Sequence, residues 1–205
     1  MPYAAGGEAT LDNIEIRRRS RWFRPCCAAE ELDSGAVRLH KIEALIRECM
    51  YGIHDLSRVE LGPVTRLPRF NMPFELGLDL AARAFGAGRL KGKQFLVLDA
   101  KRYRYQQFIS DISGQDIQGH QGVPDEAIDK VRNWLRGVSR RSRVAGPVAI
   151  KRSFRRFARW LPRMCADRGL ERDNLPVVDF VEMAEDWIAR AEDLRRTCVR
   201  SRRDR

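Results

Sequence analysis

Among the residues able to do chemistry in this 205-residue chain, Glu75 holds the most suggestive position, in the block RFNMPFELGLDL ahead of the apolar run QFLVLD. Asn71 is a good N-cap type and Pro73 suits a first helical turn, so the block predicts a helix with Glu75 close to its positive end. The macrodipole and unpaired backbone N–H groups there favour a carboxylate anion. Held beside a strand-end crevice, such an anion can stabilise or attack an oxocarbenium-like centre, as cleavage of a glycosidic bond requires. The plainer reading is that Glu75 only complements the helix dipole.

Other chemistries find less support. The five cysteines, Cys26, Cys27, Cys49, Cys165 and Cys198, lack CxxC spacing, and no His, Cys and carboxylate set has metal-ligand spacing. Reduced structural thiols and no metal are expected. GAGRLKGKQ resembles a phosphate loop only superficially: its glycine spacing is wrong, Gln94 stands where Ser or Thr belongs, and it precedes a strand. It reads as a turn that ends a helix. His54 reads as a core histidine facing away from Asp55, and His120 as part of a solvated loop with Asp111, Ser113, Gly114 and Asp116. Tyr103 and Tyr105 read as packing residues, with stacking on a nicotinamide or adenine ring as the alternative.

The elements that must position these groups alternate. Leu39, Ile42, Leu45, Ile46 and Cys49 recur with helical spacing, YGIHDL (51 to 56) resembles a buried parallel strand, and the Glu75 helix and QFLVLD (94 to 99) follow. RYRYQQFISDI predicts a short helix and SGQDIQGHQG a polar loop. From Pro124 a helix presents Ile128, Val131, Trp134, Leu135 and Val138 inward. This order implies an α/β fold with a parallel sheet. Residues 1–21 read as mostly disordered, with Ile14 and Ile16 as weak strand candidates. WFRPCCAA reads as a short strand that Pro25 confines to an edge or an end.

After residue 140 the composition shifts, and residues 141–205 form a basic helical extension. Phe154, Phe157, Leu161 and Met164 form one stripe, with Lys151, Arg152, Arg155, Arg156, Arg159 and Arg163 opposite. A second helix carries Val177, Phe180, Val181, Ala184, Trp187, Ile188, Ala191 and Leu194, and RRTCVRSRRDR reads as a frayed tail. The chain has 39 Lys plus Arg against 28 Asp plus Glu, a formal net charge of +11. That balance attracts nucleic acid, anionic membranes or phosphorylated ligands without choosing among them. The basic face is a solvated surface by default, with nucleic-acid binding as an alternative. No apolar run spans a bilayer and no signal-peptide core is evident, so a cytoplasmic protein without a membrane role is expected.

GIHDLSRVE, LPRFNMPFELGLDL, KQFLVLD and FISDISGQDI, in that order, resemble small bacterial TIR-like proteins, akin to TIR and nucleoside deoxyribosyltransferase-like domains. The resemblance covers roughly residues 23–135. It implies a flavodoxin-like three-layer sandwich over residues 22–140, a nucleotide or nucleoside ligand, and a nucleotide-processing activity in bacterial defence. Glu75 matches the glutamate that acts on the N-glycosidic bond of NAD or a nucleoside, with NAD a substrate and no resident cofactor. Under that chemistry Asp55 and Ser57 contact ribose hydroxyls, Arg58 or Arg69 meets a pyrophosphate, and Asn71 lies with them at the helix start. Self-association through the TIR-like domain is implied too. Alternatives are a nucleotide-binding or interaction module without turnover, and a nucleic-acid binder. Such relatives begin with a strand and loop like VFxNxPFD, and nothing before Trp22 matches, so the usual first strand is expected to be missing.

Overall fold

The computed structural model describes residues 14–19, 22–27, 33, 35–57, 70–139 and 144–203. The chain divides into two compact units, one over residues 10–147 and one built on the helices from Val148 onward.

The larger unit is α/β. Its strands are β1 (Ile14–Arg19), β2 (Trp22–Cys26), β3 (Tyr51–Asp55), β4 (Gln94–Asp99) and β5 (Gln118–Gly119), in the order β2-β1-β3-β4-β5. Its helices are α1 (Arg38–Glu48), α2 (Asn71–Phe85) and α3 (Pro124–Ser139). β3, β4 and β5 are parallel, with Ile53 opposite Leu96 and Asp99 opposite Gly119. β1 runs antiparallel to both β2 and β3.

Alternation along the strands separates two apolar layers. Tyr51, Ile53, Leu96 and Leu98 pack under Val131, Trp134, Leu135 and Val138 of α3, with Tyr51 and Trp134 edge to face at 6.0 Å. On the other face Leu56, Val97 and Leu76 of α2 gather with Tyr105, Ile112 and Ile117. α1 lies beside α2 there, burying Ile42 and Ile46.

Several expectations change. The opening segment expected to be disordered contains β1; pairing on both sides supplies what its weak alternation does not. The position beside β3 is thus occupied, by a strand running the opposite way to its neighbours β3 and β4. β2 lies at the sheet edge, where Pro25 lacks no needed donor. RYRYQQFISDI forms two 3-10 turns, Arg104–Gln107 and Ser110–Ile112, in place of a helix. The polar loop after it contains β5.

The second unit pairs α4 (Pro147–Asp167) with α5 (Val177–Arg203). Phe157, Leu161, Cys165 and Met183 form its core, flanked by Phe180 and Trp187. Phe154, expected in the apolar stripe, is exposed. α5 carries regular backbone through Arg203, into the segment expected to fray. No helix among the described residues is long and apolar enough to cross a membrane.

Candidate functional site

Parallel strands β3, β4 and β5 all end at one edge of the sheet, and Asp55, Asp99 and His120 stand at those ends. Open parallel sheets bind ligands at such an edge. Helices that return between parallel strands start there too, which brings the beginnings of α1 and α2 to the same side.

Asp55 is the hub. Its Oδ1 accepts the Ser57 backbone N–H at 3.0 Å and a short hydrogen bond from Ser57 Oγ, while His120 Nε2 lies 3.4 Å away. His120 Nε2 is also 2.8 Å from Ser57 Oγ. The backbone N–H of Gly122 donates to His120 Nδ1 at 3.1 Å, so in the neutral ring the proton is on Nε2. His120 therefore donates to Ser57 Oγ, and Ser57 donates to Asp55. This is the reverse of what a nucleophilic serine needs, because the imidazole has no lone pair facing the hydroxyl. Burial would raise the Asp55 pKa, but hydrogen bonds from His120 and Ser57 outweigh it and hold the carboxyl below its ordinary value. The Asp55 hydrogen bond raises His120, with burial opposing and the Asp55 and Asp99 charges adding to the rise.

Arg104 locks the cluster's floor. Its guanidinium binds Asp99 Oδ1 through Nε at 3.0 Å and a terminal nitrogen at 2.6 Å, and donates to the carbonyls of Leu56 and Ser57 at 3.0 and 2.8 Å. The turn after β3 is thereby tied to the end of β4.

Glu75 is buried, 6% exposed, in α2. The helix starts at Asn71 after Phe70, which makes no side-chain cap, so Asn71 is its first residue and not its cap. That puts Glu75 fifth, beyond the first turn where the dipole acts most strongly. Arg38 at the start of α1, largely exposed, lies 3.7 Å from its carboxylate.

Of the expected site residues, Asp55 and Ser57 are joined directly, and Glu75 and Asn71 lie on α2. Arg58 and Arg69 lie outside the described residues. His120, expected in a solvated loop, is only 7% exposed and belongs to the Asp55 network. Tyr105 is buried in the apolar core, while Tyr103 is exposed with a left-handed backbone, φ 67°. Asp99, Arg104 and Arg38 were not singled out by the sequence. Asp99 alone left a signal there, as the polar end of QFLVLD. Among the described residues no group of three His, Cys, Asp or Glu side chains could hold a metal ion.

Comparisons of the chain with protein-family models, curated proteins and solved structures found no match.

Proposed function

We propose that the carboxyl edge of β3–β5 binds a nucleotide or nucleoside within a flavodoxin-like, TIR-like unit, and that Glu75 promotes hydrolysis of its N-glycosidic bond, with NAD the leading candidate. The observation that carries this reading is the buried Glu75 carboxylate in the helix after β3, with Arg38 at its side. The Asp55–Ser57 pair at the end of β3 fits the same ligand. The hydrogen bonds to Asp55 converge on Oδ1, leaving Oδ2 to accept from a ribose hydroxyl, and Ser57 Oγ keeps one lone pair for a second.

In this scheme Asp55 and Ser57 orient the ribose, and Arg38 turns toward the pyrophosphate. Glu75 then faces the positive charge that develops at the anomeric carbon as the bond to nicotinamide breaks. Nicotinamide leaves neutral, so no strong general acid is required. Water completes the reaction at the ribosyl centre, either directly or by resolving an ester with Glu75.

The test is chromatographic detection of nicotinamide after incubating NAD with concentrated protein, alongside Glu75→Ala and Glu75→Gln variants of equal helical content. Release should fall by roughly a hundredfold to a thousandfold in both variants, the scale expected when a carboxylate that opposes transition-state charge is lost. Release that persists in both variants rejects the role of Glu75.

β1 favours a second reading. Being antiparallel to β3, it meets the carboxyl edge with its N-terminal end and supplies no strand-to-loop exit there. A nucleotide-binding or interaction module without turnover fits that edge. Its signature is calorimetric binding of NAD or ADP-ribose that survives Glu75→Ala but fails in Asp55→Asn, with no nicotinamide released.

A further inference from the structure

α4 is electrically one-sided. It carries six basic residues and a single acid, Asp167, at its last position. At about 100° per residue, Arg152, Arg155, Arg156, Arg159 and Arg163 fall within roughly one quarter to one third of the helix circumference. Phe157, Leu161 and Cys165 occupy the opposite side and are buried against α5. All five arginines are exposed. Among the described residues no carboxylate lies within ion-pair distance of Arg152, Arg156, Arg159 or Arg163; Glu182 and Asp186 of α5 meet Arg168.

Trp160 flanks this stripe and is 47% exposed. Arg163 lies over its ring at 5.5 Å, and Arg156 over the ring of Trp187 at 5.9 Å. Successive arginines one turn apart are about 5.4 Å from each other along the axis, which aligns them in a single track for the phosphates of one strand. An aromatic face beside such a track is what unpaired bases stack on, whereas a duplex keeps its base faces covered. A membrane is a poorer fit, since interfacial helices insert their apolar side and that side of α4 is already committed to the core.

We propose that the exposed face of α4 binds single-stranded nucleic acid, with Arg152, Arg155, Arg156, Arg159 and Arg163 on the phosphates and Trp160 stacking on a base. The contact is independent of the carboxyl-edge site and of any turnover there.

The experiment is fluorescence anisotropy of the full chain with a labelled 15-nucleotide oligothymidine, a duplex of equal length, and phosphatidylserine vesicles across a salt series. The single strand should bind with a log–log salt slope of about −3, from four to five neutralised phosphates. Replacing Arg152, Arg156, Arg159 and Arg163 by Gln should flatten that slope and weaken binding by on the order of a hundredfold. A control replacing Lys91, Lys101, Lys130 and Arg136 by Gln carries the same change in net charge and should lose only a few-fold. Trp160→Ala should cost about tenfold on the single strand and nothing on the duplex. Equal losses in the two four-residue variants would mean that net charge, and not this face, does the binding. Tighter binding to vesicles, or indifference of the single strand to Trp160→Ala, overturns the proposal just as directly. Circular dichroism confirms that each variant remains helical.

Discussion

His54 and Asp55 are neighbours on β3, yet they serve two opposite kinds of polar cluster. His54 points into the layer beneath α1 and α2, where its Nε2 meets Asp79 Oδ2 at 3.0 Å and Lys93 Nζ meets Asp79 Oδ1 at 2.9 Å. Lys93 Nζ also donates to the carbonyls of Ile46 and Cys49, at 2.8 and 2.7 Å, and so closes the end of α1. All three side chains are 2% exposed or less. Burial pushes Asp79 up, but the His54 hydrogen bond and the Lys93 charge prevail and hold it below its ordinary value. Asp55, one residue on, keeps an oxygen and a neighbouring hydroxyl within reach of solvent. The same residue types thus form a pin in one place and a site in the other, and only position along the strand separates them.

The most damaging way to break this comparison is to leave the pin half made. Lys93→Met strands the Asp79 carboxylate in the core and should cost about 3–5 kcal/mol in urea unfolding. Replacing the whole set, with His54→Leu, Asp79→Leu and Lys93→Met together, removes the unpaired charge and should recover most of that loss. A Lys93→Met protein within about 1 kcal/mol of the parent would show that the cluster does not hold α1 and α2 together.

Arg104 sharpens the contrast, because it belongs to neither cluster but fixes the floor of the open one. Arg104→Met leaves Asp99 without its guanidinium and frees the carbonyls of Leu56 and Ser57. The expected cost is about 2–3 kcal/mol by thermal unfolding, together with weakened nucleotide binding. Arg104→Lys should keep the charge but lose the fork that spans three acceptors, and so restore stability better than binding. If nucleotide affinity is the same in both variants and the parent, the turn after β3 does not shape the site.

The sequence made the elements legible where hydrophobic period was strong. QFLVLD is β4, YGIHD is β3, and the inner face of α3 matches its stripe at Val131, Trp134, Leu135 and Val138. β1 was obscured because IEIRRR carries its burst of arginine within the strand itself; pairing with β2 and β3, invisible in a local window, decides it. Asp55 and Ser57 were legible because both follow an apolar run. His120 was not, since β5 is two residues long and gives no alternation to mark the loop as a strand end. Lys93 lies in a glycine-rich segment that reads only as a helix-ending turn, and its partners Asp79, Ile46 and Cys49 are remote in sequence. Arg38 reached Glu75 across two helices for the same reason.

The mildest test is pH, which acts on the open cluster through two groups with opposite senses. Asp55 titrates lower in the folded chain than its ordinary 3.8, so its contribution is present above that value and is lost as pH falls through the depressed pKa. His120 titrates above its ordinary 6.5, so its contribution is complete below 6.5 and fades as pH rises through the raised pKa. The pair therefore stabilises the fold most between about pH 4 and 6.5, and unfolding free energy should decline gently above that window. A cost inside the ring limits the rise. A second proton must go on Nδ1, which now accepts from Gly122, and the Gln121–Gly122 turn is already left-handed, with φ of 55° and 72°. Asp55→Asn should return the His120 titration, followed by imidazole NMR, toward its ordinary value and remove the decline above pH 6.5. A His120 pKa unmoved by Asp55→Asn would instead assign the raised value to Asp99, the other carboxylate that acts on the ring, and would detach His120 from the site built on Asp55.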